Sequence, residues 1–342
     1  MLTKIKLPRV RFAATGLLMF GALAFWLPAS QRSTVNSGVT VNVLGIQPNI
    51  PVNIQLGDTS RYLLKTIALT RSGAARVKPD LVVWAECPLT IFYENEEETR
   101  ARLNQLAQET DAHFIINTAA RDEANHYFNS VTTLTPRGEA LKRYDKMRLL
   151  PFGEYVPWRA VLGRFVPAIV GEFTPGNAAV VNTLRLSTQR QDAMTDEGAG
   201  IERTTNFVKT GAFICYESAF PEHVRRFVRQ GATLLINISE DAWFGPTAGA
   251  EQHLHHSLMR AIETDRDVVR VTNTGISALL TADGRIVDAL PSFAEGSQLW
   301  QARTRSAQTF YTRHGEWFAW SCVGMSLLLL VVSAFLKTPR QN

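Results

Sequence analysis

The sequence predicts an α/β domain, with helices packed on sheets, set between two membrane-spanning helices. Short, continuously apolar runs such as Leu81–Trp84 and Gly211–Ile214 have the length and lack of polar alternation of strands covered on both faces. Stretches of helical spacing separate such runs, as in Glu96–Glu109 with its Leu103/Leu106 stripe. That alternation implies helices laid on sheets. The third observation is a pair of charge-free segments, residues 12–29 and 317–336, that bracket everything else.

In chain order, residues 1–11 carry Lys4, Lys6, Arg9 and Arg11 and read as a basic cytoplasmic tail. Residues 12–29 would reach roughly 27 Å as a helix. Leu27-Pro28-Ala29 is a poor small-x-small cleavage site, so an uncleaved anchor is expected over its rival, a cleaved signal peptide. Residues 317–336 would reach about 30 Å, the thickness of a hydrocarbon core. Within them Ser326-Leu327-Leu328-Leu329-Leu330-Val331-Val332 has no polar face, unlike a helix packed on a core. Trp26, Trp317 and Trp320 lie near the segment ends, where aromatic belts form. Lys337 and Arg340 follow the second segment. With the basic start of the chain, they place both termini (1–11 and 337–342) in the cytoplasm and residues 38–303 outside.

The middle opens with a strand, Val41–Ile46, ending at Gln47-Pro48-Asn49, then helical spacing over Arg61–Arg71. The strand Leu81–Trp84, the helix Glu96–Glu109 and the strand Phe114–Ile116 follow. Ser130–Leu134 and Ala140–Tyr144 flank Pro136-Arg137-Gly138, a hairpin signal. Ser187 to Asn206 is polar and without period, an exposed loop. Strands are expected at Val208–Cys215, Thr233–Ile238, Asp267–Thr272 and Ile276–Thr281, with helices at Glu222–Arg229 and Gln252–Thr264. No internal repeat is visible.

Composition narrows the function. The net charge of +5 is modest and, apart from the N-terminal cluster, scattered. A nucleic-acid surface needs a concentrated basic face, so no nucleic-acid partner is expected. No Gly-rich phosphate loop precedes a helix, so nucleotide binding is not expected either. Three cysteines, Cys87, Cys215 and Cys322, cannot all pair, which favours a free thiol over a disulfide scaffold. His253-Leu254-His255-His256 lacks a recognised metal-ligand spacing. These histidines are expected to cap or pack a helix, with no metal and no cofactor.

Three apolar runs each end on a reactive group. Gly211-Ala212-Phe213-Ile214 delivers Cys215, Leu81-Val82-Val83-Trp84-Ala85 delivers Glu86, and Arg143-Tyr144-Asp145 delivers Lys146. A thiol becomes a nucleophile when a base takes its proton or a cation lowers its pKa. A half-buried Glu86 can serve as that base, and Lys146 can stabilise an oxyanion. Together these residue types suit acyl transfer. Taken singly, each has an ordinary reading: a free cysteine is usually a small buried apolar group, and Glu and Lys are usually solvated.

The wording around these positions resembles the nitrilase (carbon–nitrogen hydrolase) superfamily, and within it the apolipoprotein N-acyltransferase branch. The resemblance rests on Trp84-Ala85-Glu86, Tyr144-Asp145-Lys146, Pro151-Phe152-Gly153-Glu154-Tyr155-Val156-Pro157 and Cys215-Tyr216-Glu217. It extends to Asn237-Ile238-Ser239-Glu240-Asp241-Ala242-Trp243-Phe244-Gly245, Gln252-His253, Met259–Glu263 and Arg270–Ser277. The match runs in order from about Val41 to Val287. It implies a four-layer αββα sandwich with a Glu86 base, a Lys146 oxyanion stabiliser and a Cys215 nucleophile. Glu154, Tyr216, Glu217 and Trp243 fall in the supporting or substrate-binding set, and Glu217 is expected to hold Lys146 or a backbone amide rather than move a proton.

The implied reaction has two halves: Cys215 takes an acyl chain from a phospholipid as a thioester. The α-amine of a diacylglyceryl-cysteine lipoprotein then receives it, on the outer side of a bacterial inner membrane. A nitrilase-type amidase, with water resolving the thioester, is the alternative, and a scaffold without activity is a third reading. Family enzymes carry a multi-span membrane domain ahead of the catalytic one. Here one apolar segment precedes it, so a membrane partner supplying spans is a further expectation. Residues 156–170 are apolar and would either dip into lipid or pack on the sheet. Cys87, next to Glu86, is expected to be a small filler rather than a redox partner of Cys215.

Overall fold

The computed structural model describes residues 38–335, except 54–57, 87, 88, 90, 160–171 and 189–203. The expected tails (1–11 and 337–342), the N-terminal anchor (12–29), Cys87 and most of the apolar stretch 156–170 lie outside the described residues.

Residues 36–307 form one unit built on two six-stranded sheets. The first takes β1 (Thr40–Gln47), β2 (Leu81–Trp84), β3 (His113–Arg121), β4 (Tyr127–Leu134), β5 (Tyr144–Asp145) and β12 (Gly296–Arg303), in the order β12-β1-β2-β3-β4-β5. The second takes β6 (Val181–Thr188), β7 (Thr204–Ile214), β8 (Leu234–Ser239), β9 (Val268–Thr272), β10 (Ser277–Leu280) and β11 (Ile286–Leu290), in the order β11-β10-β9-β8-β7-β6. In each, three adjacent strands are parallel, β1-β2-β3 and β7-β8-β9, and antiparallel strands flank them. The two halves therefore share one topology although their sequences show no repeat.

Parallel neighbours need crossovers, and four helices supply them: α1 (Thr59–Arg76), α2 (Glu97–Thr110), α3 (Pro221–Arg229) and α4 (Gly249–Thr264). Strand alternation then sorts the side chains. Val41, Val43, Leu81, Val83 and Ile115 face the second sheet and join Val208, Ile236 and Val269 in one buried cluster. Ile46, Val82, Trp84, Phe114 and Ile116 point the other way, onto Leu63 and Ile67 of α1 and Leu103 and Leu106 of α2. On the far side of the second sheet, Val224 and Phe227 of α3 and Leu254 and Ala261 of α4 complete the larger cluster. The result is the expected αββα order of layers. Gly45 lies where the sheets press together: a Cβ there would fall 2.3 Å from the Trp300 ring.

Some elements differ from the sequence expectation. Ala140–Tyr144 is not a continuous strand; Ala140 makes a single bridge to Leu134, and only Tyr144–Asp145 pairs with β4. Part of the expected loop 187–206 is strand, because Ser187 pairs with Thr205 and Thr188 with Thr204. Three strands without a sequence signal, β6, β11 and β12, sit beside or at the sheet edges.

Residues 308–335 fall outside that unit and are described by themselves. They contain α5 (Phe310–His314) and α6 (Trp317–Phe335), a helix without a charged residue. Among the described residues no helix is long and apolar enough to cross a membrane. The side chains of α6 are described only as far as Val331, short of the roughly 20 residues a span requires.

Candidate active site

Glu86, Lys146 and Cys215, far apart in sequence, meet at one end of the two sheets. Glu86 follows β2, the central strand of its parallel trio, and makes a backbone bridge to Thr272 at the end of β9 in the other sheet. Cys215 follows β7 and opens a single helical turn, Cys215–Ala219, with φ +49°. A non-glycine residue in the left-handed region costs about 1–3 kcal/mol and persists where the surroundings fix it. Here the fixing group is Glu217, two residues on, whose Oε2 accepts the Ile214 N–H at 2.8 Å.

The cation sits between two carboxylates. Lys146 Nζ donates to Glu154 Oε1 at 2.9 Å and lies 3.4 Å from Glu86 Oε1. Asn129 Nδ2 donates to the same two oxygens, each at 2.8 Å. Glu154 Oε2 is taken by the Leu150 N–H at 2.8 Å, and Glu86 Oε2 by the Glu240 N–H at 3.1 Å. The Cys215 Sγ lies 3.9 Å from the Glu240 carbonyl oxygen. Lys146 and Glu154 are buried, and Glu86 keeps a small exposed fraction.

These positions set the charge states. Burial by itself would lower Lys146, but Glu86 and Glu154 more than offset it and hold the ammonium above its ordinary value. Burial pushes the Cys215 thiol up, the Glu86 charge pushes it further, and Lys146 opposes both. The resting site thus pairs a protonated thiol with a fixed cation. Deprotonation must accompany attack, and a carboxylate is at hand to receive the proton.

Glu217 is buried and serves as a clasp. Its Oε1 accepts the N–H groups of Met147 at 2.7 Å and Arg148 at 3.0 Å, and the Tyr144 hydroxyl at 2.6 Å. His223 Nε2 lies 3.2 Å away. One carboxylate therefore ties the cysteine turn to the backbone that follows the lysine and to the Tyr144 side chain that precedes it. Tyr216 is half-buried, its ring set edge-on to Phe220. Trp243 is exposed in the short turn Ala242–Phe244.

Sequence reasoning missed Asn129 and Glu240. Asn129 stands in β4 between Phe128 and Val131 beside Ser130, and a polar pair inside an apolar strand is a signal worth reading. Glu240 is buried at the end of β8, its Oε1 accepting the Ala242 N–H at 2.8 Å and the Thr274 hydroxyl at 2.7 Å. Its neighbour Asp241 anchors a second network. Arg270 Nη2 donates to Asp241 at 2.9 and 2.7 Å, and His253 Nδ1 lies 2.8 Å from the same carboxylate. His253 is thus part of buried packing, whereas His255 is exposed and lies 2.8 Å from the Glu251 carbonyl.

Known proteins resemble this chain in sequence and in fold. Residues 43–308 fit the carbon-nitrogen hydrolase family. The sequence is similar to apolipoprotein N-acyltransferase of Geobacter metallireducens, 34% identical over 296 residues that cover 84% of this chain and 52% of the relative. The corresponding protein of Thermotoga maritima is 30% identical over 340 residues, covering 95% and 58%. The chain thus spans little more than half the length of these curated relatives. Among solved structures it is similar to Saccharomyces cerevisiae Nit3, a member of branch 10 of the nitrilase superfamily, with a TM-score of 0.57 at 16% identity over 79% of this chain and 93% of that one. An amidase from Nesterenkonia superposes with a TM-score of 0.55 at 15% identity, over 83% and 95%. These likenesses carry the fold, and the family match carries membership: the chain belongs to the carbon–nitrogen hydrolase family.

Proposed function

We propose that the chain is a membrane-anchored N-acyltransferase that moves an acyl chain from phospholipid, through a thioester on Cys215, to the N-terminal amine of a diacylglyceryl-cysteine lipoprotein. The observation that carries this reading is the Lys146 ammonium placed against Glu86 and Glu154, with the Cys215 thiol alongside. The similarity to apolipoprotein N-acyltransferases supplies the substrate class.

In the first half-reaction Glu86 takes the Cys215 proton as Sγ attacks the acyl ester carbonyl. The Lys146 ammonium stabilises the oxyanion that forms. The C–O bond of the ester then breaks, the lysophospholipid alkoxide takes the proton back from Glu86, and a thioester remains. In the second half the lipoprotein amine attacks the thioester, Glu86 takes the amine proton, and the C–S bond breaks. The departing thiolate regains a proton from Glu86, which closes the cycle. Glu154, Glu217, Tyr216 and Trp243 hold the site or shape its mouth.

The same reading assigns residues 38–303 to the catalytic domain and residues 12–29 and 317–336 to anchors in a bacterial inner membrane. Tails 1–11 and 337–342 are then cytoplasmic and the catalytic domain lies on the outer side. Support for the second anchor comes from α6, which carries no charged residue along its length. Its Trp320, Leu327, Leu328 and Leu330 are all well exposed, as a lipid-facing helix requires. Further spans, in the same chain or from a partner, would complete the lipid pocket.

The test is the full chain in detergent with phospholipid and a diacylated lipopeptide. Triacylated product by mass spectrometry, lost in Cys215→Ala, supports the proposal. Free fatty acid, or ammonia released from small amides, without that product would replace the acyltransferase by the hydrolase. Absence of any acyl adduct on Cys215 would leave a scaffold.

A further inference from the structure

Glu240 touches the reacting groups only through its backbone, yet its buried carboxylate is held by three hydrogen bonds of its own. Its N–H donates to Glu86 Oε2 at 3.1 Å, and its carbonyl oxygen lies 3.9 Å from Cys215 Sγ. One peptide segment therefore addresses both the base and the nucleophile. Where that segment sits depends on the buried side chain, which accepts from the Ala242 N–H, the Thr274 hydroxyl and the Asn273 amide.

Asn273 is itself fixed from two sides. Its Oδ1 accepts the Ile50 N–H at 2.8 Å, its Nδ2 donates to the Ile50 carbonyl at 2.7 Å, and its own N–H donates to Ser239 at 3.0 Å. Ile50 follows β1 of the first sheet, and Ser239 ends β8 of the second. The Glu240 carboxylate thus closes a loop of hydrogen bonds that joins both sheets behind the site.

We propose that Glu240 is a positioning residue whose ionised carboxylate holds its own peptide group against Glu86 and Cys215. All three donors point at the carboxylate, so a proton on it displaces one of them and slackens the turn. Burial raises this carboxyl, the hydrogen bonds from Thr274, Ala242 and Asn273 lower it, and Glu86 raises it again, leaving it at about 7. The titratable and charged groups around it are Glu86 after β2, Lys146 after β5, the Cys215 thiol after β7, and Asp241 with its partners Arg270 and His253. The working form is the carboxylate, so the positioning is complete above about pH 7 and lost below it.

The inference rests on the proposed proton transfer from Cys215 to Glu86, but its test requires no knowledge of acyl donor or acceptor. Full-length protein in detergent is alkylated with iodoacetamide, and the Cys215 peptide is followed by mass spectrometry from pH 5.5 to 9. Rates are normalised to a small free thiol in the same buffers. The parent chain should show a bend near pH 7, with the normalised rate falling up to about tenfold per unit below it. Glu240→Gln should remove the bend and slow the plateau by up to about 100-fold, the cost of a misplaced reacting group. Thr274→Val removes a donor that favours the carboxylate, so it should move the bend to higher pH. It also decides the matter if the glutamine variant does not fold. A bend that persists in Glu240→Gln, or stays put in Thr274→Val, overturns the proposal. A Glu86→Gln chain that reacts like the parent would instead sink the proton-transfer reading on which it rests.

Discussion

Glu217 Oε1 accepts the Met147 N–H at 2.7 Å, which locks the turn that carries Cys215 to the residue next to Lys146. The two segments come from different sheets, β7 of the second and β5 of the first. Their register is therefore set by one buried carboxylate rather than by strand pairing. That arrangement makes the geometry of the proposed site sensitive to a residue assigned no part in proton transfer.

Glu217→Ala should leave the Ile214, Met147 and Arg148 N–H groups and the Tyr144 hydroxyl without their acceptor. A loss of about 3–5 kcal/mol is expected from breaking so buried a charged node, read from denaturant midpoints. The pH dependence follows from its charge. Burial would raise the Glu217 carboxyl, but His223, Tyr144 and the Ile214 N–H outweigh it and hold it below its ordinary value of 4.5. A carboxyl depressed in the folded chain stabilises fully above its unfolded pKa, and that contribution fades as pH falls through the folded value. Stability of the parent chain should therefore drop below about pH 4.5, and Glu217→Gln should show a shallower acid limb from a lower starting point.

Arg270 and Asp241 form a fully buried pair, with both carboxylate oxygens engaged at 2.9 and 2.7 Å. Burial raises Asp241, but Arg270 and His253 overcome this and hold it far below the usual carboxylate range. Arg270→Ala should cost about 3–5 kcal/mol because buried Asp241 loses its guanidinium and keeps only His253 and the Ser239 hydroxyl. Arg270→Lys should recover only part of that, since one ammonium cannot serve Asp241 and Asn237 at once as Nη2 and Nη1 of the guanidinium do. Thermal unfolding of the two variants side by side checks the order.

How much of this was legible in the sequence depended on burial. Leu81–Trp84 was read without error because a strand covered on both faces is apolar throughout. β11 escaped because Ile286–Leu290 is half exposed and carries Asp288. β12 escaped because Ser297, Gln298 and Gln301 dilute its apolar side chains. At the site, the ends of apolar runs announced Glu86, Lys146 and Cys215 individually. Their convergence was visible only through resemblance, since nothing local in the sequence says that β2 and β7 lie in facing sheets. Asn129 and Glu240 escape for the opposite reason: their chemistry comes mostly from partners distant in the chain, Glu86 and Glu154 for the one, Asn273 and Thr274 for the other.

Gly275 leaves room for Asp241. A Cβ at that position would stand 2.0 Å from Asp241 Oδ2, and Asp241 cannot yield because Arg270 and His253 hold it. Gly275→Ala should therefore destabilise by about 1–3 kcal/mol, the usual cost of overpacking. It should also displace the Ala242–Phe244 turn that follows Asp241. A lowered melting temperature with weakened acyl-donor affinity is the expected pair of readings. Unchanged kinetics in the presence of a lowered melting temperature would remove Trp243 from the substrate-binding set.

Lys146 separates the electrostatic part of the site from its packing. Glu86 Oε1 and Glu154 Oε1 both lie within reach of its Nζ and share Asn129 as a second donor. Lys146→Met keeps much of the side-chain volume but leaves two carboxylates facing each other across a neutral gap. Two like charges in one buried site cannot both persist, so the pair should take up a proton. Glu86 then loses its capacity to accept a proton and the oxyanion loses its cation. Thioester formation on Cys215 should fall by at least about 100- to 1,000-fold, the scale of a lost oxyanion donor. Stability should change less, because the proton replaces the missing charge. A Lys146→Met chain that still acylates Cys215 within about tenfold of the parent would show that the oxyanion is held elsewhere, with the backbone N–H groups of the Cys215–Ala219 turn as the next candidates.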